Sequence, residues 1–299
     1  MKVAFIGLGN MGGGMAARQV ADGRDVHAFD LSEAVVGKAV AAGARGAGSV
    51  SKAVQGVDAV ITMLPAGPQV RKVYAEEILP NAPRSALLID CSTVDVESAR
   101  AVAGQAKAAG FRFADAPVSG GTAAAEGGTL AFMVGCGETD FADVEHALKP
   151  MARVVIRAGE HGAGQAAKIC NNMLLGISMI GTCEAFALAE RLGLSPDRFF
   201  EIASKSSGQC WSLTSYAPWP GVGPQTASDR NYEGGFAAGM MLKDLKLAQE
   251  AAAKAGATTP LGAQAEAIYA LFDRLGYGGK DFSGVLQMLR GELAGLNLK

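Results

Sequence analysis

Histidine is scarce in this sequence of 299 residues: His27, His146 and His161 are all it has. A His-rich metal centre is therefore excluded as its organising feature, since imidazole is the commonest side-chain metal ligand. Cysteine is little richer. Cys91, Cys136, Cys170, Cys183 and Cys210 are odd in number, and no two are spaced CxxC. That speaks against a disulfide framework or a structural zinc, and for a reducing, cytoplasmic setting. An excess of one charge is also lacking, with 27 Lys and Arg against 29 Asp and Glu, a formal net charge of −2. Neither nucleic acid nor an anionic membrane is expected as a partner. Only one apolar stretch is long, Ile169 to Ala189, and it holds Asn171, Asn172 and Glu184. It reads as a buried core helix rather than a membrane span. The first residues, Lys2-Val3-Ala4-Phe5-Ile6-Gly7, read as an opening strand rather than a secretory leader.

Apolar residues and glycine are plentiful. The hydrophobic fraction is 49% and there are 40 glycines, without a Gly-X-Y period. The chain is long enough for about two domains. Up to about residue 158, short apolar runs alternate with Ala-rich helical patterns. The runs are Val3–Ile6, Val26–Phe29, Ala59–Leu64, Ala86–Ile89, Phe111–Ala114, Leu130–Val134 and Val154–Ile156. Strands that read as continuously apolar are covered on both faces, so this alternation predicts βαβ units and a mostly parallel sheet. From Gly164 to Leu192 runs one long helical pattern. A helix opening at Ser195-Pro196 follows, then a Gly/Pro-rich loop over 206–235, then helical segments at about 238–255, 261–275 and 283–289. The prediction is an α/β domain over 1–161 and an all-α domain over 162–299, joined by the long helix.

Gly7-Leu8-Gly9-Asn10-Met11-Gly12 is a GxGxxG that follows a strand and opens a helix. Gly7 allows the tight turn, Gly9 lets backbone approach a pyrophosphate, and Gly12 lets helix and strand pack closely. Asp30 ends the second strand, where a carboxylate accepts from ribose hydroxyls and repels a 2′-phosphate. Leu31-Ser32 supplies no arginine to pair such a phosphate, so NAD is expected in preference to NADP. The first domain thus reads as a Rossmann-type, doubly wound sheet. Ligands of such sheets sit beyond the carboxyl ends of the strands. Two further strand ends are candidates there: Leu64-Pro65, suited to packing on adenine or ribose, and Thr93, a hydroxyl near the nicotinamide or equally the N-cap of the next helix.

The next strand end, Asp115 to Gly121, exposes successive backbone N–H groups at Ser119-Gly120-Gly121, a nest suited to a substrate carboxylate. Lys168 and Asn172 are spaced i, i+4 and share one face early in the long helix, where a cleft between domains is expected. A free lysine, with a pKa of ~10.4, is mostly protonated at neutral pH, and burial moves it towards the base form.

Taken together, the glycine loop, the Asp115–Gly121 segment, Gly164 with Lys168 and Asn172, and Lys243-Asp244-Leu245 resemble the β-hydroxyacid dehydrogenase family. So do Ser206–Ser212, Tyr216, Pro220–Val222, Asn231–Phe236 and Lys280–Ser283. The resemblance implies NAD-dependent oxidation of a small 3-hydroxy acid to its semialdehyde, and the apolar helix Ile169–Ala189 with the all-α domain leads us to expect burial between subunits, hence a homodimer or homotetramer. It implies Lys168 as the catalytic lysine, Ser119, Gly120 and Asn172 as substrate contacts, and Leu64, Pro65, Thr93 and Lys243 as cofactor contacts. Trp211, readable as ordinary core, is implied instead to border the substrate. A tartronate or succinate semialdehyde reductase of the same family remains open, as does a non-catalytic NAD(H)-binding sensor. The presence of both Lys168 and Asn172 speaks against the sensor.

Overall fold

The fold is that of a computed structural model, in which residues 1–293 are described. The last six residues of the expected 162–299 domain, 294–299, lie outside the described residues. The chain divides into two units, Met1–Lys168 and Ile169–Lys299. The division falls a few residues after the expected 161/162 boundary, inside a helix.

In the first unit the strands are β1 (Lys2–Ile6), β2 (Asp25–Phe29), β3 (Arg45–Gly46), β4 (Ala59–Thr62), β5 (Leu87–Asp90), β6 (Arg112–Asp115), β7 (Val118–Ser119), β8 (Leu130–Gly135) and β9 (Ala152–Gly159). The helices among them are α1 (Gly12–Ala21), α2 (Glu33–Ala41), α3 (Val50–Ala53), α4 (Gly67–Val73), α5 (Leu79–Asn81), α6 (Val96–Ala108), α7 (Gly121–Gly127) and α8 (Phe141–Leu148). The strands lie in the order 3-2-1-4-5-6-8-7, with β9 beside β8. From β3 across to β6 the neighbours are all parallel, whereas β8 runs antiparallel to β6 and β7. Alternation along the strands sends side chains into two cores. Val3, Phe5, Ile61 and Ile89 face one layer, while Ala4, Ile6, Val60 and Leu88 face the other. This is the doubly wound, three-layer arrangement that the apolar runs predict.

Helix α9 (Ala163–Arg191) leads from the first unit into the second, which continues with α10 (Pro196–Ala203), α11 (Trp211–Thr214), α12 (Ala238–Ala255), α13 (Pro260–Phe272) and α14 (Val285–Arg290). Ser195 caps α10 by accepting from the Arg198 N–H, with Pro196 in the first turn, as expected. The core of this unit joins Met179, Cys183 and Phe186 of α9 to Met241 and Leu245 of α12 and to Tyr269 and Phe272 of α13. Helix α9 is long and apolar enough to cross a membrane by length and composition, with a mean hydropathy of 1.4, and 44% of its most apolar window is buried. The expected loop over 206–235 is more ordered than its composition suggests. It contains α11 and a short 3₁₀ turn at Ala227–Arg230 whose start is closed by a Thr226–Asp229 capping box.

Candidate active site

Pairing brings the strand ends into line. Ile6 is opposite Phe29 and Thr62, Thr62 is opposite Asp90, and Asp90 is opposite Asp115. The segments that follow, at Gly7, Asp30, Met63–Pro65, Cys91–Thr93 and Ala116–Ser119, therefore leave the sheet at one edge. Strand order reverses at β1, between β2 and β4, which marks the crevice where such sheets bind ligands.

The glycine loop has the geometry its spacing predicts. Gly7 has φ +92°, and a Cβ there would meet the Met63 carbonyl oxygen at 2.3 Å. A Cβ on Gly12 would meet the Gly7 carbonyl oxygen at 2.0 Å, so α1 packs directly on the turn. A Cβ on Gly9 would meet nothing within 4 Å, which leaves that side of the loop open to a ligand. Leu8 is buried, Asn10 exposed and Met11 half-buried. Helix α1 begins with neither a side-chain cap nor an acidic residue in its first turn, leaving its N-terminal field for an anion. One Asp30 oxygen accepts from the Leu8 N–H at 2.7 Å and the other from the Ser32 N–H at 2.9 Å. Asp30 thus holds the glycine loop itself, a role the sequence did not reveal, with lone pairs still available to a ribose. Arg24 precedes β2 and donates to the carbonyls of His146 and Ala147. An open glycine, a carboxylate on the loop and an uncapped helix start fit a dinucleotide.

Below Leu64-Pro65 lies a buried polar network. Asp90 Oδ1 accepts from the Thr62 and Ser92 hydroxyls at 2.7 and 2.6 Å, and Ser92 Oγ accepts from the Leu64 N–H at 2.8 Å. Leu64 is half-buried, Pro65 exposed and Thr93 half-buried. Thr93 is not the cap of the next helix: α6 starts at Val96, and Asp95 caps it by accepting from the Ser98 N–H. Burial pushes the Asp90 carboxyl up to about 6, against the hydrogen bonds from Ser92 and Thr62. The folded-state value lies above the unfolded one, so this contribution to stability is full below about 4 and is lost as pH rises through about 6. Asp90→Asn removes that loss. Its gain over the parent should reach about 3 kcal/mol at pH 8 and shrink by pH 5, as read by urea unfolding.

Ser119 ends β7 rather than lying in a free turn, and Gly120 and Gly121 follow with φ +140° and +72°. A Cβ on Gly120 would lie 2.5 Å from that of Ala124, so only glycine fits. Gly120 is exposed, with Ser119 and Gly121 half-buried. Asp115, fully buried, binds the start of α9: Oδ1 accepts from the Gly162 N–H at 2.7 Å and Oδ2 from the Gln165 N–H at 3.0 Å. Burial raises the Asp115 carboxyl above the usual range, and those two N–H bonds oppose the shift. One turn into α9, Lys168 is 7% exposed.

In the second unit, Asn172 is 1% exposed, and its Nδ2 donates to Asp244 Oδ2 at 2.6 Å. Asn172 Oδ1 accepts from Asn171 Nδ2 at 3.0 Å. Lys243 Nζ lies 3.6 Å from Asp244 Oδ1, so this lysine is not simply a solvated helix cation. Asp244 is the residue that sequence reasoning passed over. No local signal marks its role, because its partner Asn172 lies 72 positions away in the chain. Trp211 is not core: it is 51% exposed and stacks on Tyr216, with ring centroids 5.1 Å apart. Asp281 in turn accepts from the Tyr216 hydroxyl at 2.9 Å and the Phe236 N–H at 2.7 Å.

A doubly wound sheet, a glycine loop at its switch point and a buried lysine early in the long helix that follows the sheet define a nicotinamide-dinucleotide oxidoreductase. The family described as the NAD binding domain of 6-phosphogluconate dehydrogenase matches residues 2–159, and that described as NAD-binding of NADP-dependent 3-hydroxyisobutyrate dehydrogenase matches residues 162–289. A 3-hydroxyisobutyrate dehydrogenase of Pseudomonas aeruginosa is 46% identical, covering 97% of this chain and 99% of its own. An NAD-dependent L-serine dehydrogenase of the same organism is 44% identical over 96% and 97%. The solved Mycobacterium tuberculosis 3-hydroxyisobutyrate dehydrogenase with L-serine superimposes with a TM-score of 0.93 at 43% identity, covering 97% of this chain and 99% of that one. The chain belongs to the 3-hydroxyisobutyrate dehydrogenase family, and is thus a β-hydroxyacid dehydrogenase that uses NAD(P).

Proposed function

We propose that this chain oxidises 3-hydroxyisobutyrate to methylmalonate semialdehyde with NAD, as a step of valine degradation. The observation that carries this reading is the buried pair on α9: Lys168 at 7% exposure and Asn172, one turn on, at 1%. Bound NAD would supply the acceptor for the hydride that leaves the carbinol carbon. Lys168 Nζ takes the hydroxyl proton and returns it in the reverse direction. Asp244 fixes the Asn172 carboxamide, whose second amide hydrogen is assigned to the substrate hydroxyl. The Ser119 hydroxyl and the backbone of Gly120 and Gly121 are assigned to the substrate carboxylate, and Trp211 to its methyl group. Residues 7–12 and Asp30 hold the dinucleotide, with Leu64, Pro65, Thr93 and Lys243 as further contacts. The Asp30-Leu31-Ser32 sequence favours NAD, because its one charged side chain repels a 2′-phosphate.

L-Serine is the competing substrate, since one close relative is named for its oxidation and another was solved with it. The test is NADH appearance with purified protein, racemic 3-hydroxyisobutyrate, L-serine, 3-hydroxypropionate and glycerate, with NADP as comparison. Fastest turnover with 3-hydroxyisobutyrate and NAD is expected. Faster turnover of serine, or rapid NADH consumption with tartronate or succinate semialdehyde, would overturn the substrate. The odd number of cysteines, none spaced CxxC, supports a reducing, cytoplasmic setting. Leu174 and Leu188 of α9 are 64% and 59% exposed, and Leu192 just beyond is 76% exposed. Covering them supports a homodimer or homotetramer. A monomer mass in sedimentation velocity would refute the assembly.

A further inference from the structure

We infer that Gln165 is a positioning residue that fixes the Ser92-Thr93-Val94 turn against the first turn of α9, holding Thr93 and Lys168 in one register. The inference deepens the proposed reading, and rests on Thr93 as a cofactor contact and Lys168 as the proton carrier.

Gln165 is fully buried. A carboxamide is a poor choice for a buried position unless both of its ends are hydrogen-bonded. Here both are, and both bonds go to the same turn. Nε2 donates to the Ser92 carbonyl at 2.7 Å, and Oε1 accepts from the Val94 N–H at 3.1 Å. Those two groups flank Thr93. One planar side chain therefore grips the backbone on either side of the residue assigned to the cofactor.

The other end of the grip is equally fixed. The Gln165 backbone N–H donates to Asp115 at the end of β6, while its side chain reaches the segment leaving β5. Asp90 and Asp115 are opposite each other in those neighbouring strands. Close packing reinforces the anchor, since a Cβ on Gly164 would lie 2.4 Å from the Met133 carbonyl oxygen and 2.7 Å from that of Asp115. The first turn of α9 is thus pinned to two strand ends, and Lys168 follows Gln165 by one turn of the same helix. A methionine would fill the same volume and let the turn move.

The test is a double-mutant cycle on NADH affinity, read by fluorescence titration, with Gln165→Met and Thr93→Ala singly and together. A positioning residue acting through Thr93 gives non-additive losses, whereas a general structural role gives additive ones. Gln165→Met should weaken NADH binding about three- to tenfold, the worth of one or two hydrogen bonds. In the Thr93→Ala background the same change should cost less than about twofold. Equal losses in both backgrounds, or no loss in either, would overturn the inference. Gln165→Glu keeps the size and the acceptor for Val94 but loses the donor to Ser92, and must show the same non-additivity. The cycle needs no substrate. Absence of turnover in the parent protein would sink the proposed reaction and leave the coupling between Gln165 and Thr93 measurable as before.

Discussion

Lys168→Ala should lower kcat by about 10²–10⁴ while NADH still binds, because positioned acid–base groups contribute factors of that size. The lysine is nearly buried, and the side chains assigned to the dinucleotide lie on other elements, so its loss leaves the glycine loop and Asp30 as they are. Lys168→Arg separates two explanations. Arginine keeps the positive charge but does not release its proton near neutral pH. If the lysine moves a proton, arginine is about as inactive as alanine. If it only attracts the carboxylate, arginine recovers much of the rate. We expect the first outcome in steady-state assays of NADH appearance. Near-native turnover by either variant would remove Lys168 from the proton path.

Asp115→Ala should be the most destabilising single change at this edge of the sheet. The carboxylate is the acceptor for two N–H groups at the start of α9, Gly162 at 2.7 Å and Gln165 at 3.0 Å, both of them buried. Alanine leaves both donors unsatisfied, at roughly 1–3 kcal/mol each, so a loss of about 4 kcal/mol is expected. In a unit of this size that corresponds to a fall in Tm of about 10 °C, measurable by calorimetry. Asp115→Asn, which retains one acceptor oxygen, should lose about half as much. A Tm within about 2 °C of the parent for the alanine variant would show that water satisfies those amides instead.

The large elements were legible because their signals are local. Continuous apolar runs marked the buried strands β1, β4 and β5, and the Ser195-Pro196 pair marked the start of α10. β3 and β7 were not legible. Each has two residues, and Arg45 and Gly46 are both exposed, so nothing in their pattern distinguishes them from loop. Their pairing partners, Ala28 for Gly46 and Phe132 for Val118, supply what periodicity cannot. The same division holds at the site. The glycine loop could be read from spacing, as could the single face of α9 that Lys168 and Asn172 share. The functions of Asp115, Gln165 and Asp244 are long-range hydrogen bonds, across 47, 73 and 72 positions of chain in the bonds to Gly162, Ser92 and Asn172. No short window of sequence contains both ends. Asp30 is legible as part of the loop region, but its bond to the Leu8 N–H adds a second role that only the fold brings into reach.

Helix α9 also bears on how far this protein can be dissected. Two modules joined by a linker can be expressed apart, exchanged between relatives, or released by a protease. Here the joint is the interior of a 29-residue helix. A truncation after residue 161 would strip Asp115 of both its amide partners, whereas one after 168 would end the chain one turn short of Asn172 and expose the helix to fraying from its new end. Chimaeras of this family are therefore better built by exchanging loops such as 206–235 than by joining halves at α9.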